Sequence, residues 1–128
     1  MMKKKTEKMK YDKNNIFAKI LRGEIPCKKV FENEYVLSFH DINPQKKIHV
    51  LVIPKGEYVD LDDFVKNASN KEIVEFNKAI IHVVKILKIS HQENGYRVLS
   101  NTGIDSRQEV FHLHYHIFGG EDIGKIVI

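Results

Sequence analysis

The chain has 128 residues, 42% apolar and 30% charged, enough for one domain with a buried core and too few for two. No apolar run reaches the roughly 18 residues of a membrane span, and the Lys-rich start lacks the apolar segment of a secretory signal, so a cytoplasmic protein is expected. Cys27 is the only cysteine, which excludes an intrachain disulfide and a thiolate cluster for zinc or iron.

The net charge of +4 lies entirely in residues 1–13, where six lysines face only Glu7 and Asp12. The remainder is balanced and carries no basic stripe with interleaved aromatics, so neither a membrane nor a specific nucleic-acid partner is expected. Residues 1–14 read as a solvated, poorly ordered tail, and residues 15–128 as the one folded domain. A short leading helix is predicted over residues 16–21, ahead of Arg22 and Gly23. Strand patterns follow at residues 28–32, 36–41 and 48–53, separated by the turn formers Asn33-Glu34 and Asn43-Pro44.

Ser69 and Glu72 have the spacing of a capping box. From there Ile73, Phe76, Ile80, Val83 and Leu87 recur at steps of three and four, one apolar stripe for a long helix lying on a sheet. His82 falls off that stripe and His91 follows the helix end, so both read as surface histidines. Residues 96–100 and 110–118 form two further strand patterns around a polar loop. The predicted class is α+β: an antiparallel five-stranded meander sheet with one long and one short helix.

Two motifs are decoys. Residues 119–125 spell the glycine-rich start of a phosphate loop, but Ile126 stands where a magnesium-binding hydroxyl is needed and too few residues follow for the helix. Asn67-Ala68-Ser69 is a formal glycosylation acceptor without meaning in a chain that is not secreted. Cys27 has no local base beside it and reads as a small apolar side chain.

The informative segment is residues 111–118. On a strand, His112, His114 and His116 point to one face while Leu113, Tyr115 and Ile117 point to the other. A solvated polar face rarely needs three imidazoles at strict alternation. A metal site, helped by His49 or His40, is a second reading; same-face residues about 7 Å apart do not easily share one ion. The favoured reading is nucleophilic and acid-base chemistry on an anion. Neighbouring imidazoles disfavour one another's protonation, so one ring stays neutral with a free lone pair. A carbonyl accepting from its other nitrogen would aim that lone pair at a substrate, and His114, in the middle, is the candidate nucleophile.

At these residues the chain resembles the histidine triad family, whose signature alternates three histidines with apolar residues. Residues 16–26, 39–44 and 49–55 resemble that family's opening helix, nucleoside strand and central strand, in family order. The branch it is most similar to is the Hint-type nucleoside phosphoramidate hydrolases; His116 stands where uridylyltransferase relatives carry glutamine.

The resemblance implies a histidine triad fold, a homodimer, and no metal or organic cofactor. It implies cleavage of the P–N bond of purine nucleoside 5′-phosphoramidates, such as adenosine 5′-monophosphoramidate, through a nucleotidyl-His114 intermediate that water resolves to the monophosphate. His112 would lend its carbonyl to His114 and His49 would contact His112. His116 and Gln108 would bind phosphoryl oxygens with Asn101 alongside. Asp41 would take the ribose hydroxyls, and Ile16, Phe17, Ile20, Phe39 and Ile42 would wall the base pocket. Phe39 and Asp41, two apart on a strand, do share a face. By themselves, Phe39 and the helix residues read equally as core, and Asp41 as a turn residue.

Four positions depart from the family pattern. Glu109 replaces a small hydroxyl residue, Arg107 precedes Gln108 where glycine is common, and Asn15 and Ala18 occupy the places of a zinc-binding cysteine pair. A dinucleoside polyphosphate hydrolase of the same fold, or a nucleotide-binding interaction protein with incidental turnover, are the alternatives.

Overall fold

Why these residues build their elements is clearest at the helix starts. In the computed structural model, which describes residues 10–126, Asn15 caps α1 (Ile16–Leu21), its side chain accepting from the Ala18 amide. Three strands follow: β1 (Lys29–Glu32), β2 (Val36–His40) and β3 (Ile48–Pro54). Asn33 closes the first turn, its side-chain oxygen accepting from the Tyr35 and Val36 amides. Two helices, α2 (Leu61–Asn67) and α3 (Asn70–Ile86), precede β4 (Tyr96–Leu99) and β5 (Tyr115–Gly119).

The capping box expected at Ser69 is present with both its bonds, and α3 buries Phe76, Ile80 and Val83 of the expected stripe together with Ala79 and Val84. α2 was not expected. Its signal is Asp60, which accepts from the Asp63 amide, while Asp63 accepts from Val59 N–H and the Asn67 side chain. Seven residues are too few to display a helical stripe, so only the cap betrays this helix.

The sheet is antiparallel and five-stranded, as expected, but its order is β1-β2-β3-β5-β4, not that of a plain meander. After the two helices the chain enters the far edge with β4 and returns, so β5 is central and pairs with β3 and β4. This puts the histidine-bearing strand inside the sheet.

β3 is apolar on both faces because both are covered. Val50 and Val52 face the α3 side, with Val36, Phe76, Val83, Leu113 and Ile117. Leu51 and Ile53 face the α1 side with Phe17, Leu37 and Phe39. An unbroken apolar run is the pattern of a strand buried on both faces. The second, smaller cluster forms the floor on which the site is built.

The expected strand 110–118 begins only at Tyr115. Its ladder with β3 ends at the Val52–Tyr115 pair, because the next partner, Pro54, has no N–H to donate. The Leu113 amide bonds to the Tyr58 carbonyl instead, at 2.7 Å. The alternation nevertheless persists: Leu113 and Ile117 are in the α3-side core. Of the expected tail, residues 1–9 lie outside the described residues; residues 11–14 depart from the expectation, since Tyr11 packs edge-on against the His112 ring and Lys13 pairs with Glu57. Among the described residues no helix is long and apolar enough to cross a membrane.

Ser38 on β2 is fully buried, and its hydroxyl has no hydrogen-bond partner among the described residues. An unsatisfied buried hydroxyl costs about 1–3 kcal/mol. Ser38→Ala is therefore expected to unfold at a urea concentration no lower than the parent chain, whereas Phe76→Ala, which empties the α3-side core, should lose about 3–5 kcal/mol.

Candidate active site

The sheet face covered by α1 opens into a cavity of about 1060 Å³, at the upper end of the size range of small-molecule sites. Its walls come from α1, from β2 and the loop after it, from β3, and from the loop and strand carrying His114 and His116. Ile16, Phe17, Ile20, Phe39, Asp41, Ile42, His49 and Asn101 all line it. Two of the expected site residues do not. Gln108 is buried, its amide donating to the Val59 and Val110 carbonyls and its oxygen accepting from Gly103 N–H. It pins the loop, with no atom left over for a ligand. His112 lies beneath the cavity, fully buried.

Because His112 sits where the ladder has lapsed, its Nε2 reaches the Pro54 carbonyl at 2.8 Å. A carbonyl only accepts, so Nε2 carries the proton and Nδ1 accepts from the Tyr11 hydroxyl, 2.5 Å away. The His112 carbonyl is itself 2.8 Å from Nδ1 of His114. That bond places the His114 proton on Nδ1 and leaves Nε2 with a bare lone pair on the cavity side. The Phe17 ring stands edge-on to His114 at 4.9 Å and restrains it.

His49 does not contact His112, contrary to expectation. It pairs in register with Phe118, and His116, two residues before Phe118 on the same face, is its diagonal neighbour, with His49 Nε2 2.9 Å from His116 Nδ1. The Gln45 backbone N–H reaches His49 Nδ1 at 3.0 Å. A backbone N–H can only donate, so His49 Nδ1 is the acceptor and Nε2 holds the proton. It donates to His116 Nδ1, with Asp41 Oδ2 3.4 Å away. His116 then carries its own proton on Nε2. A backbone amide thus sets the donor face of a ring two residues removed in the relay.

Burial holds all four rings neutral. It lowers His112 and His116 from the ordinary value near 6.5 to about 4, and His114 and His49 are lowered as well, burial again leading. Around His116, the neighbouring His114 and His49 push in the same direction as burial. Side by side, His114 and His116 have their ring centres 5.1 Å apart. The site therefore offers one lone pair and, next to it, one neutral N–H donor.

Asp41, His49 and His116 bring three ligand-type atoms within 4.8 Å of one another. Their protonation does not suit a cation: His49 Nε2 bears a proton that could move to Nδ1 only by breaking the Gln45 bond. Asp41 is further engaged, Oδ1 accepting from Asn43 N–H at 2.8 Å. At the other metal position considered, Asn15 and Ala18 offer no thiolate, Asn15 being the cap of α1.

Sequence reasoning missed Tyr11 and the Gln45 amide. Tyr11 stood among lysines without a pattern, and no side-chain motif can announce a backbone donor. Arg107 and Glu109, noted as departures, both line the cavity. Arg107 adopts φ +61°, the left-handed region that glycine tolerates most easily.

The chain matches the HIT domain family over residues 22–123. It is 55% identical over 117 residues to an uncharacterised 13.2 kDa HIT-like protein of Azospirillum brasilense, covering 91% of this chain and 94% of that one. A 14 kDa zinc-binding protein of Zea mays is 40% identical over 114 residues, 88% of this chain and 86% of its own. Among solved structures, a HIT family hydrolase from Clostridium thermocellum superposes with a TM-score of 0.79 at 38% identity, covering 90% and 97% of the two chains.

The lowered histidines tie stability to acid. The unfolded chain takes up protons near pH 6.5, while folded His112 and His116 resist until about pH 4. Between those limits the unfolded state binds more protons, so stability falls as pH falls. The thermal midpoint is expected to be level above pH 7 and to decline from pH 6.5 toward pH 4; His112→Asn should flatten part of that decline in the same scan.

Proposed function

The chain belongs to the HIT domain family, and from that footing we propose that it is a hydrolase of the P–N bond in purine nucleoside 5′-phosphoramidates, acting in the cytoplasm. The observation that carries this reading is the 2.8 Å bond from His114 Nδ1 to the His112 carbonyl, which fixes a lone pair on a wall of a nucleotide-sized cavity. Apolar side chains left to water in that concavity, Ile42 at 90% and Ile16 at 46% exposure, suit a planar base that would cover them. Asp41 stands two residues beyond Phe39 on the same wall, in reach of a ribose.

In the first half of the reaction His114 Nε2 forms a bond to the α-phosphorus. The P–N bond to the leaving group breaks with its electron pair going to nitrogen, which takes a proton from cavity water and departs as the amine. His116 Nε2–H donates to a phosphoryl oxygen, where negative charge builds. In the second half a water oxygen adds to phosphorus, the bond to His114 returns its pair to Nε2, and the proton lost by water balances the one taken earlier. The products are the nucleoside monophosphate and the amine. Gln108, expected to bind phosphate, supports this site through its hold on the loop carrying Arg107 and Asn101.

A second reading, a nucleotide-binding protein with incidental turnover, draws on Glu109, a cavity-lining carboxylate with no ion pair among the described residues, which disfavours a phosphate. Turnover of adenosine 5′-monophosphoramidate decides between them. His114→Ala is expected to lose several orders of magnitude in kcat while still binding adenosine monophosphate, and Glu109→Ser to keep or raise it. A wild-type chain without phosphoramidase activity would overturn the hydrolase, and faster cleavage of diadenosine polyphosphates would move it to the other substrate class. Activity should also fall on the acid side as His114 takes a proton below pH 6.5.

The working unit we propose is a homodimer. β4 is an edge strand, an unpaired template for a second chain, and Leu99 on it is exposed at 38%. Light scattering should return twice the chain mass, and Leu99→Glu should shift it toward the monomer.

A further inference from the structure

We propose that Tyr11 is a positioning residue for the nucleophile, acting through the placement of the His112 ring. This rests on the reading of His114 as nucleophile, but the geometry that carries it is independent of any substrate. His112 contributes no atom to the cavity surface; what it contributes is the carbonyl that holds His114. That carbonyl lies outside the β3–β5 ladder, which ends at Tyr115. Its peptide unit is held from one side by the Leu113 N–H donating to the Tyr58 carbonyl, and its residue from the other by the ring, whose Nε2–H donates to the Pro54 carbonyl and whose Nδ1 accepts from Tyr11.

The Pro54 carbonyl can only accept, so it sets the tautomer and leaves Nδ1 as an acceptor; the Tyr11 hydroxyl donates to that nitrogen and so holds the ring in place. Tyr11 also stacks edge-on against the same ring, centre to centre 5.5 Å. The segment that presents it is tied down independently of His112. The Asn14 amide bonds to the Asp12 side chain, the Asn15 amide to the Asp12 carbonyl, Lys13 pairs with Glu57 at 2.6 Å, and Arg22 donates to the Lys13 carbonyl. The segment is therefore a strap across the back of the catalytic residues, anchored at α1 and at the loop after β3.

Without the hydroxyl, His112 Nδ1 is a buried acceptor with nothing to accept. The ring then gains by turning toward another donor, the Pro54 bond is strained, and the His112 carbonyl that orders His114 shifts with it. A small misplacement of a nucleophile is enough to slow chemistry by about tenfold or more, while the β2 wall of the cavity is untouched.

The test is Tyr11→Phe, which keeps the ring and removes the oxygen. Long-range proton–nitrogen spectra of the imidazoles read the tautomers directly, in the absence of substrate. In the parent chain His112 should carry its proton on Nε2 and His114 on Nδ1; in the variant His112 should keep its proton on Nε2, opposite Pro54, while His114 should become a mixture. With adenosine 5′-monophosphoramidate, kcat should fall about tenfold or more with KM within twofold. A variant that is less heat-stable yet retains kcat and a single His114 tautomer overturns the proposal. If the variant does not fold, the parent spectrum alone still decides it, since a His112 proton found on Nδ1 refutes the tyrosine as donor. An unchanged His114 tautomer refutes Tyr11; a changed one in a chain that has no phosphoramidase activity refutes the proposed reaction instead.

Discussion

The bond from His114 Nδ1 to the carbonyl of His112 is the constraint on which the site depends. An imidazole in water exchanges tautomers freely and offers its lone pair in two directions. Tied to a carbonyl, it offers one direction only. The carbonyl belongs to a segment whose own position follows from Pro54: a residue with no N–H ends the ladder, releases the residues before Tyr115 from the sheet, and leaves a carbonyl for the buried His112 ring.

The same logic runs through His116 from the other side. A backbone N–H at Gln45 sets His49, and His49 sets His116, so a lone pair and a donor proton stand next to each other without any charge on either ring. Burial enforces that neutrality, and its cost is carried as acid sensitivity. Both relays begin in the backbone, which cannot be titrated and cannot rotate away. The pattern is preorganisation: dipoles placed before a ligand arrives need no rearrangement when it does.

The fold supplies what these relays need. β5 lies between β3 and β4, which places His116 against β3 and its His49. α3 and its apolar stripe cover one face and leave the other to α1, which is too short to close it. The opening that remains is the cavity. Gln108 was expected there as a phosphate ligand and instead holds the loop that carries Arg107 and Asn101, because a buried amide must satisfy its own hydrogen bonds first.

Much of this was legible in the order of residues. Local rules, which need only neighbours within four or five positions, identified α1, α3 with its capping box, the five strands, and the alternation that separates His112, His114 and His116 from Leu113, Tyr115 and Ile117. They also carried the family resemblance and the charge confined to the start of the chain. What tertiary structure alone decided was every interaction between distant positions: that β4 takes the edge and β5 the centre, that His49 meets His116 and not His112, that Gln108 turns inward, and that Tyr11 reaches His112 across 101 positions. Periodicity reports which face a side chain takes. Strand register and the direction of a single proton depend on atoms that the chain brings together only once it has folded.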